Sequence, residues 1–233
     1  MKLFCIPFSG GNAYSYFEFK KYLPSHMELC CLELPGRGAR IQEPLLCDID
    51  SMAEDLFHQM EGHLDGHYAI FGHSLGALLG YHLCRRMTAQ GVDLPCILFV
   101  SGLSAVSLIK PDTRYLLPDD RFVSLLREME GTPEELLADK SFLDYFLPIV
   151  KADFQSIANY EYVPAESPLK LPIAVLLGRQ ENVTAEDAAF WQMETEMKIS
   201  IHRFEGNHFF INSQARDICR LITNLCNQST LCS

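Results

Sequence analysis

Residues 68–77 read Tyr68-Ala69-Ile70-Phe71-Gly72-His73-Ser74-Leu75-Gly76-Ala77, and this stretch decides the fold. Tyr68 to Phe71 is a short apolar run of the kind that forms a buried strand, and Ala77 to Met87 carries a helical pattern. The serine between them is the centre of a G-x-S-x-G elbow. Passing from strand to helix in so few residues needs a turn that strains the serine backbone and pushes its hydroxyl clear of both elements. Gly72 and Gly76 leave room for that turn, since a Cβ at either place would meet the neighbouring element. The five-residue motif alone recurs by chance; the strand before it and the helix after it give it weight.

Outward from the elbow, apolar runs alternate with helical stretches. Lys2 to Ile6, Glu28 to Leu32, His67 to Phe71, Cys96 to Ser101, Ile173 to Leu177 and Lys198 to Phe204 read as strands. Ser51-Met52-Ala53-Glu54 has the form of a capping box, with Met52, Leu56 and Met60 recurring on one face. A last helix is expected over Ser213 to Cys226. This alternation predicts an α/β fold, a mostly parallel sheet with helices on both faces, in a single domain over residues 1–233. From about Ser104 to Pro164 only helical signals occur, including Thr132-Pro133-Glu134-Glu135 as a helix start and the apolar stripe Phe142, Tyr145, Phe146 and Ile149. This segment reads as a helical lid inserted over the serine.

Composition narrows the function classes. The 233 residues, 48% hydrophobic and 21% charged, describe a chain with a substantial core. A net charge of −11 excludes a generally basic nucleic-acid face and any broad attraction to anionic membranes. No apolar run reaches membrane-spanning length, and the N-terminus is too soon interrupted, at Pro7, for a signal peptide. The nine cysteines lack C-x-x-C spacing, so neither a zinc site nor a bound cofactor is expected. Buried thiols in a reducing, cytoplasmic setting are the expectation, together with a monomeric state.

A serine needs a base to take its proton, and the base needs an acid to orient it. Downstream of an elbow the order is Ser, then Asp or Glu, then His. His26, His58, His63 and His67 precede the serine, His73 lies within the elbow, His82 is on the following helix, and His202 is inside the last strand run. His208, in the loop Glu205-Gly206-Asn207-His208-Phe209-Phe210 after that strand, can return an imidazole to the C-terminal edge of the sheet. For the acid, Glu181 lies just past the penultimate strand, with Asp187 in reserve. Thr184-Ala185-Glu186-Asp187 looks like a helix start, which gives Glu186 and Asp187 a capping job instead. The oxyanion donors are expected to be the backbone N–H groups of Leu75, after the nucleophile, and Ser9, in the glycine-paired loop Pro7-Phe8-Ser9-Gly10-Gly11-Asn12.

Five segments in order then resemble one family. They are Pro7-Phe8-Ser9-Gly10-Gly11, Leu34-Pro35-Gly36-Arg37-Gly38-Ala39-Arg40, Gly72-His73-Ser74-Leu75-Gly76-Ala77, Leu147-Pro148-Ile149-Val150-Lys151-Ala152-Asp153-Phe154 and Gly206-Asn207-His208-Phe209-Phe210. Together they resemble the type II thioesterases that accompany non-ribosomal peptide and polyketide synthases, of the α/β-hydrolase superfamily. The P-G-R-G-x-R stretch is more specific than the elbow, which all α/β-hydrolases share. The resemblance implies a stand-alone editing hydrolase that removes stalled or misprimed acyl groups from the phosphopantetheine arm of acyl- or peptidyl-carrier proteins. It maps Ser74 to the nucleophile, His208 to the base, Leu75 and Ser9 to the oxyanion positions, and residues 104–164 to the lid. Two departures stand out: Glu181 where the family usually has aspartate, and Ser9 where alanine is commoner. Lys110, Arg114 and Arg121 are candidate docking residues for the carrier. The alternatives are a carboxylester hydrolase of small esters or lipids and a non-catalytic carrier-binding protein.

Overall fold

The computed structural model describes residues 1–64 and 66–230. Its six strands are β1 (Lys2–Ile6), β2 (Glu28–Cys31), β3 (Tyr68–His73), β4 (Leu98–Ser101), β5 (Ile173–Gly178) and β6 (Ser200–Phe204). They form one sheet in the order β2-β1-β3-β4-β5-β6, and every pairing is parallel. All six expected strands are present, with ends shifted by up to two residues.

Alternation along the strands divides the core between the two faces of the sheet. Phe4, Ile6, Tyr68, Ile70, Val175 and Leu177 pack on one face against α1 (Ile49–Met60) and α2 (Leu75–Gln90). Leu3, Cys5, Ala69, Phe71, Ala174 and Leu176 pack on the other against Phe19 and the C-terminal helix. Both faces being covered explains why the strands read as continuous apolar runs rather than alternating ones. Burial also pushes the thiols of Cys5 and Cys84 up, so they behave as small apolar groups.

Helix starts differ from expectation in two places. Helix α1 begins two residues before Ser51: Asp48 is its N-cap and accepts from the Ser51 N–H at 2.8 Å, while Glu54 pairs with Arg86. The carboxylate captures the free amide first, so Ser51 lies inside the first turn. At Thr132–Glu135 the cap position is Pro133, with no side-chain cap, and α4 (Glu134–Leu137) lasts one turn. It stops because Asp139 turns outward to cap the next helix, accepting from Ser141 and Phe142 N–H at 2.7 and 3.1 Å. The expected C-terminal helix is α8 (Ala215–Thr230), and a one-turn helix, α7 (Phe210–Ser213), precedes it across Gln214.

The segment between β4 and β5 contains α3 (Asp119–Glu128), α4 and α5 (Lys140–Ala158), two short 3-10 turns, and no strand. Phe122, Val123, Leu126, Leu137, Leu147, Val150 and Phe154 give it a hydrophobic cluster of its own. The remaining short helix, α6 (Ala185–Ala189), follows β5.

Candidate active site

Parallel strands all end at one edge of the sheet, and the loops leaving β1, β3, β4, β5 and β6 meet there. Ser74 sits between β3 and α2 with φ 54° and ψ −118°, in the left-handed region for a non-glycine residue. Strain of this kind costs on the order of 1–3 kcal/mol and persists only where the surroundings enforce it. The surroundings are tight: a Cβ on Gly72 would lie 2.0 Å from the Gly76 carbonyl oxygen, and one on Gly76 would lie 2.3 Å from that of Ile6.

His208 is brought to the same edge by the loop after β6. Its Nδ1 is 2.6 Å from Oε1 of Glu181, whose carboxylate is almost fully buried while the imidazole is partly open. The other oxygen, Oε2, accepts from the Gly178 N–H at 2.6 Å, and the Glu181 N–H returns to the Gly178 carbonyl. The extra methylene of glutamate is absorbed in this tight turn, with the side chain folded back over its own strand end. The two loops are tied by Gln180, whose side-chain oxygen accepts from the Gly206 N–H at 2.6 Å and whose own N–H donates to the Gly206 carbonyl at 3.1 Å. Asp187 is elsewhere: with Thr184 it forms the reciprocal cap of α6, and the Thr184 hydroxyl and amide hold its carboxyl below the usual range. Glu186 is exposed on the same turn.

The two residues expected to supply oxyanion donors both have free amides. Leu75 is the first residue of α2, so its N–H has no acceptor within the helix, and the positive end of the helix dipole lies beside Ser74. Across from it, the Gly10 N–H is taken by Asp153 and the Gly11 N–H by the Phe8 carbonyl. The Ser9 N–H has no acceptor among the described residues. Ser9 Oγ is buried with no hydrogen-bond partner, consistent with the backbone rather than the side chain being the useful group.

Ser9, Ser74, Glu181 and His208 all line one cavity of about 840 Å³, and so do Phe142, Tyr145, Phe146 and Ile149 of the insertion. The insertion therefore forms a wall of the chamber that holds the serine. A thioesterase domain family model matches residues 1–226, against a chain of 233.

The chain belongs to the thioesterase domain family.

It is 33% identical to the gramicidin S biosynthesis protein GrsT of Aneurinibacillus migulanus, over 99% of this chain and 90% of that protein. Among solved structures it superposes on ClbQ from the colibactin pathway with a TM-score of 0.93 at 29% identity, covering 100% of this chain and 99% of the other. The type II thioesterase BorB from the borrelidin cluster matches with a TM-score of 0.88 at 31% identity, over 97% and 92%.

Two features of this thioesterase escaped the sequence reading. The first is His73, which is wholly buried, with its ring 4.7 Å from that of His208 and its Nδ1 3.0 Å from Ser101 Oγ. Burial, then the nearby His208, drive its pKa well below the ordinary value, so it is a neutral ring packed beside His208. Strand alternation already turns His73 away from the serine, onto the face of Ala69 and Phe71; its contact with His208 was not legible. Gly102 completes the packing: at φ +62°, a Cβ there would lie 2.4 Å from the His73 ring and 3.2 Å from His208.

The second is the P-G-R-G-x-R stretch, whose charges are turned inward. Arg37 is 1% exposed and pairs with Asp153 of α5. Arg40 pairs with Asp55 at 2.6 Å and donates to the Glu33 carbonyl at 2.9 Å. Arg37 also borders the cavity, and its Nε is buried without a hydrogen-bond partner. Of the basic insertion residues, Lys110, Arg114 and Arg121 are all exposed, and Arg114 also pairs with Asp112 and stacks over Phe154. No group of three or more His, Cys, Asp or Glu residues that could hold a metal exists among the described residues, and no helix is long and apolar enough to cross a membrane.

Proposed function

We propose that this thioesterase is a stand-alone editing enzyme that hydrolyses acyl groups from the phosphopantetheine arm of carrier proteins in non-ribosomal peptide, polyketide or fatty acid assembly. The observation that carries the reading is the Glu181–His208 pair at 2.6 Å in one cavity with a strained Ser74 and two free amides, in a chain similar to GrsT and BorB along nearly its whole length.

His208 Nε2 takes the Ser74 proton as Oγ attacks the thioester carbonyl. Glu181 holds Nδ1–H, which fixes the tautomer and stabilises the imidazolium that forms. The Leu75 and Ser9 N–H groups receive the oxyanion; each donor is worth about 3 kcal/mol in the transition state. The pantetheine thiolate then leaves with the proton from His208. A thiol of pKa about 8.5 leaves far more readily than an alkoxide. His208 next activates water, which attacks the acyl-serine and releases the free acid. The chain supplies all of these groups, and the phosphopantetheine enters with the substrate. The carrier is the partner, met in the cytoplasm, with the exposed Lys110 and Arg121, and Arg114 at the chamber lining, as candidate contacts.

The test is hydrolysis of a panel of acyl-carrier substrates, with matched oxygen esters alongside and mass spectrometry of the quenched protein. The expected result is thioester turnover, an acyl adduct on Ser74, and loss of both in Ser74→Ala. Faster cleavage of the oxygen esters would assign the protein to small-ester hydrolysis instead. Turnover unchanged in Ser74→Ala would refute the mechanism.

A further inference from the structure

The loop that carries the Ser9 amide is not held by its own strand. Ser9 and Gly10 lie past the end of β1, and Gly10 has φ +75°, a conformation that leaves its N–H pointing out of the turn. That N–H donates to Asp153 Oδ2 at 2.7 Å. The same carboxylate accepts from Arg37 through both oxygens, at 2.8 and 2.7 Å, and Arg37 also donates to the Gly11 carbonyl at 3.4 Å. Asp153 is 0% exposed and Arg37 is 1% exposed. The loop is also pressed against α5, since a Cβ on Gly10 would lie 2.7 Å from Val150 and 2.8 Å from Phe146. Further along, the Ala13 N–H donates to Glu33 Oε1 at 3.0 Å, while Oε2 of Glu33 accepts from the Ala39 N–H at 2.8 Å.

We propose that Arg37 and Asp153 are positioning residues of the oxyanion hole, holding the Ser9–Gly10 peptide so that the Ser9 N–H faces the carbonyl attacked by Ser74. The inference rests on the reading of Ser9 as an oxyanion donor. An oxyanion hole works through donors fixed before the charge develops, so a loop free to rotate about Ser9 would lose most of its effect. Asp153 clamps that rotation from the next peptide along. Arg37 has a second task. A bare buried carboxylate one residue from the donor would repel the oxyanion, and the bidentate guanidinium cancels its charge while keeping it a hydrogen-bond acceptor. Three segments distant in sequence, around residues 9, 37 and 153, thus act on one amide.

The experiment uses Asp153→Leu/Arg37→Met, which replaces the pair with apolar side chains, and Asp153→Asn, which keeps the shape and an acceptor. Active sites are counted with a fluorophosphonate, and kcat and KM per titrated site are measured on an acyl-carrier. Inhibition by an alkylboronic acid, whose serine adduct places an oxygen in the hole, is read in parallel. The expected result for the double variant is a loss of kcat per site of about 100-fold, as for removal of one oxyanion donor. KM should stay within twofold, and boronate affinity should fall in step with kcat. Asp153→Asn, whose single carboxamide oxygen cannot replace both acceptors of the clamp, should recover only part of both and stay several-fold below wild type. A merely structural role would lower the titrated fraction and the melting temperature but leave kcat per site and boronate affinity unchanged, which overturns the inference; if the double variant does not fold, the same two readouts in Asp153→Asn decide it, unchanged values overturning it. A wild-type protein that binds boronate but turns over no acyl-carrier defeats the proposed function and leaves the positioning role to be read from the boronate alone.

Discussion

Glu181 holds His208 from a position where its carboxylate must serve two donors, the His208 ring and the Gly178 amide, each at 2.6 Å. Shortening the side chain by one methylene in Glu181→Asp prevents it from reaching both, and kcat is expected to fall by about 10-fold. Glu181→Gln keeps the length but cannot stabilise the imidazolium, and a loss approaching 10⁴-fold is expected, as for the equivalent acid-to-amide change in a Ser-His-Asp triad. Asp187→Ala should keep full kcat and lower the melting temperature slightly through loss of the reciprocal cap. Equal losses of kcat in the Glu181 and Asp187 variants would move the acid. Gly102→Ala forces a Cβ against the His73 ring and toward His208, so the variant is expected to lose activity steeply. Substrate turnover per fluorophosphonate-titrated site measures this, and wild-type turnover would show that His73 does not set the base.

At the scale of elements, Phe142, Tyr145, Phe146 and Ile149 on α5 line the chamber, and Val150 and Phe154 both border it and, with Leu147, bind the insertion together. The helix continues through Pro148, whose missing N–H leaves one carbonyl of the preceding turn without its usual donor. Phe146→Ala removes part of the acyl wall without touching the insertion's own cluster to the same degree. KM for a long-chain acyl-pantetheine is expected to rise several-fold and that for acetyl-pantetheine to stay unchanged; an equal rise for both would place Phe146 against the arm. The stripe was legible from helical spacing. Its direction was not, because spacing does not say which of two apolar faces meets the chamber. The caps show the same division. Thr184 and Asp187 behave as their spacing predicts, whereas Ser51 yields to Asp48, whose carboxylate takes the free amide, and Thr132 falls one residue before the cap position, which Pro133 occupies with no side-chain bond.

For the whole molecule, acid is the revealing stress. His82 lies on α2 with its ring 5.2 Å from that of Tyr160, and burial pulls its pKa down to about 4, against the smaller upward pull of Asp50. His73 is lowered in the same direction by burial and by His208. In the unfolded chain both titrate near 6.5. Their contribution is therefore complete above pH about 6.5 and is lost as pH falls toward the folded values, because the unfolded state binds the protons. The melting temperature is expected to drop between pH 7 and pH 5, and to drop less in His82→Leu than in wild type. Equal pH slopes for the two proteins would show that His82 is solvated.

The sequence by itself determined the strand count, the parallel sheet, the elbow at Ser74, the loop carrying His208 and the helical character of residues 104–164. These follow from local rules: apolar periodicity, glycine spacing, and the fixed chain order of nucleophile, acid and base. Tertiary structure decided what depends on distance across the chain. It separated Glu181 from Asp187 by folding one carboxylate under His208 and the other into a helix cap. It placed His73 beside His208, and it turned Arg37 inward to Asp153, which lies 116 residues away and holds the Gly10 amide. The physical reason is burial, because a charge read in a sequence has no partner until the fold removes it from water and dictates which opposite charge it must meet.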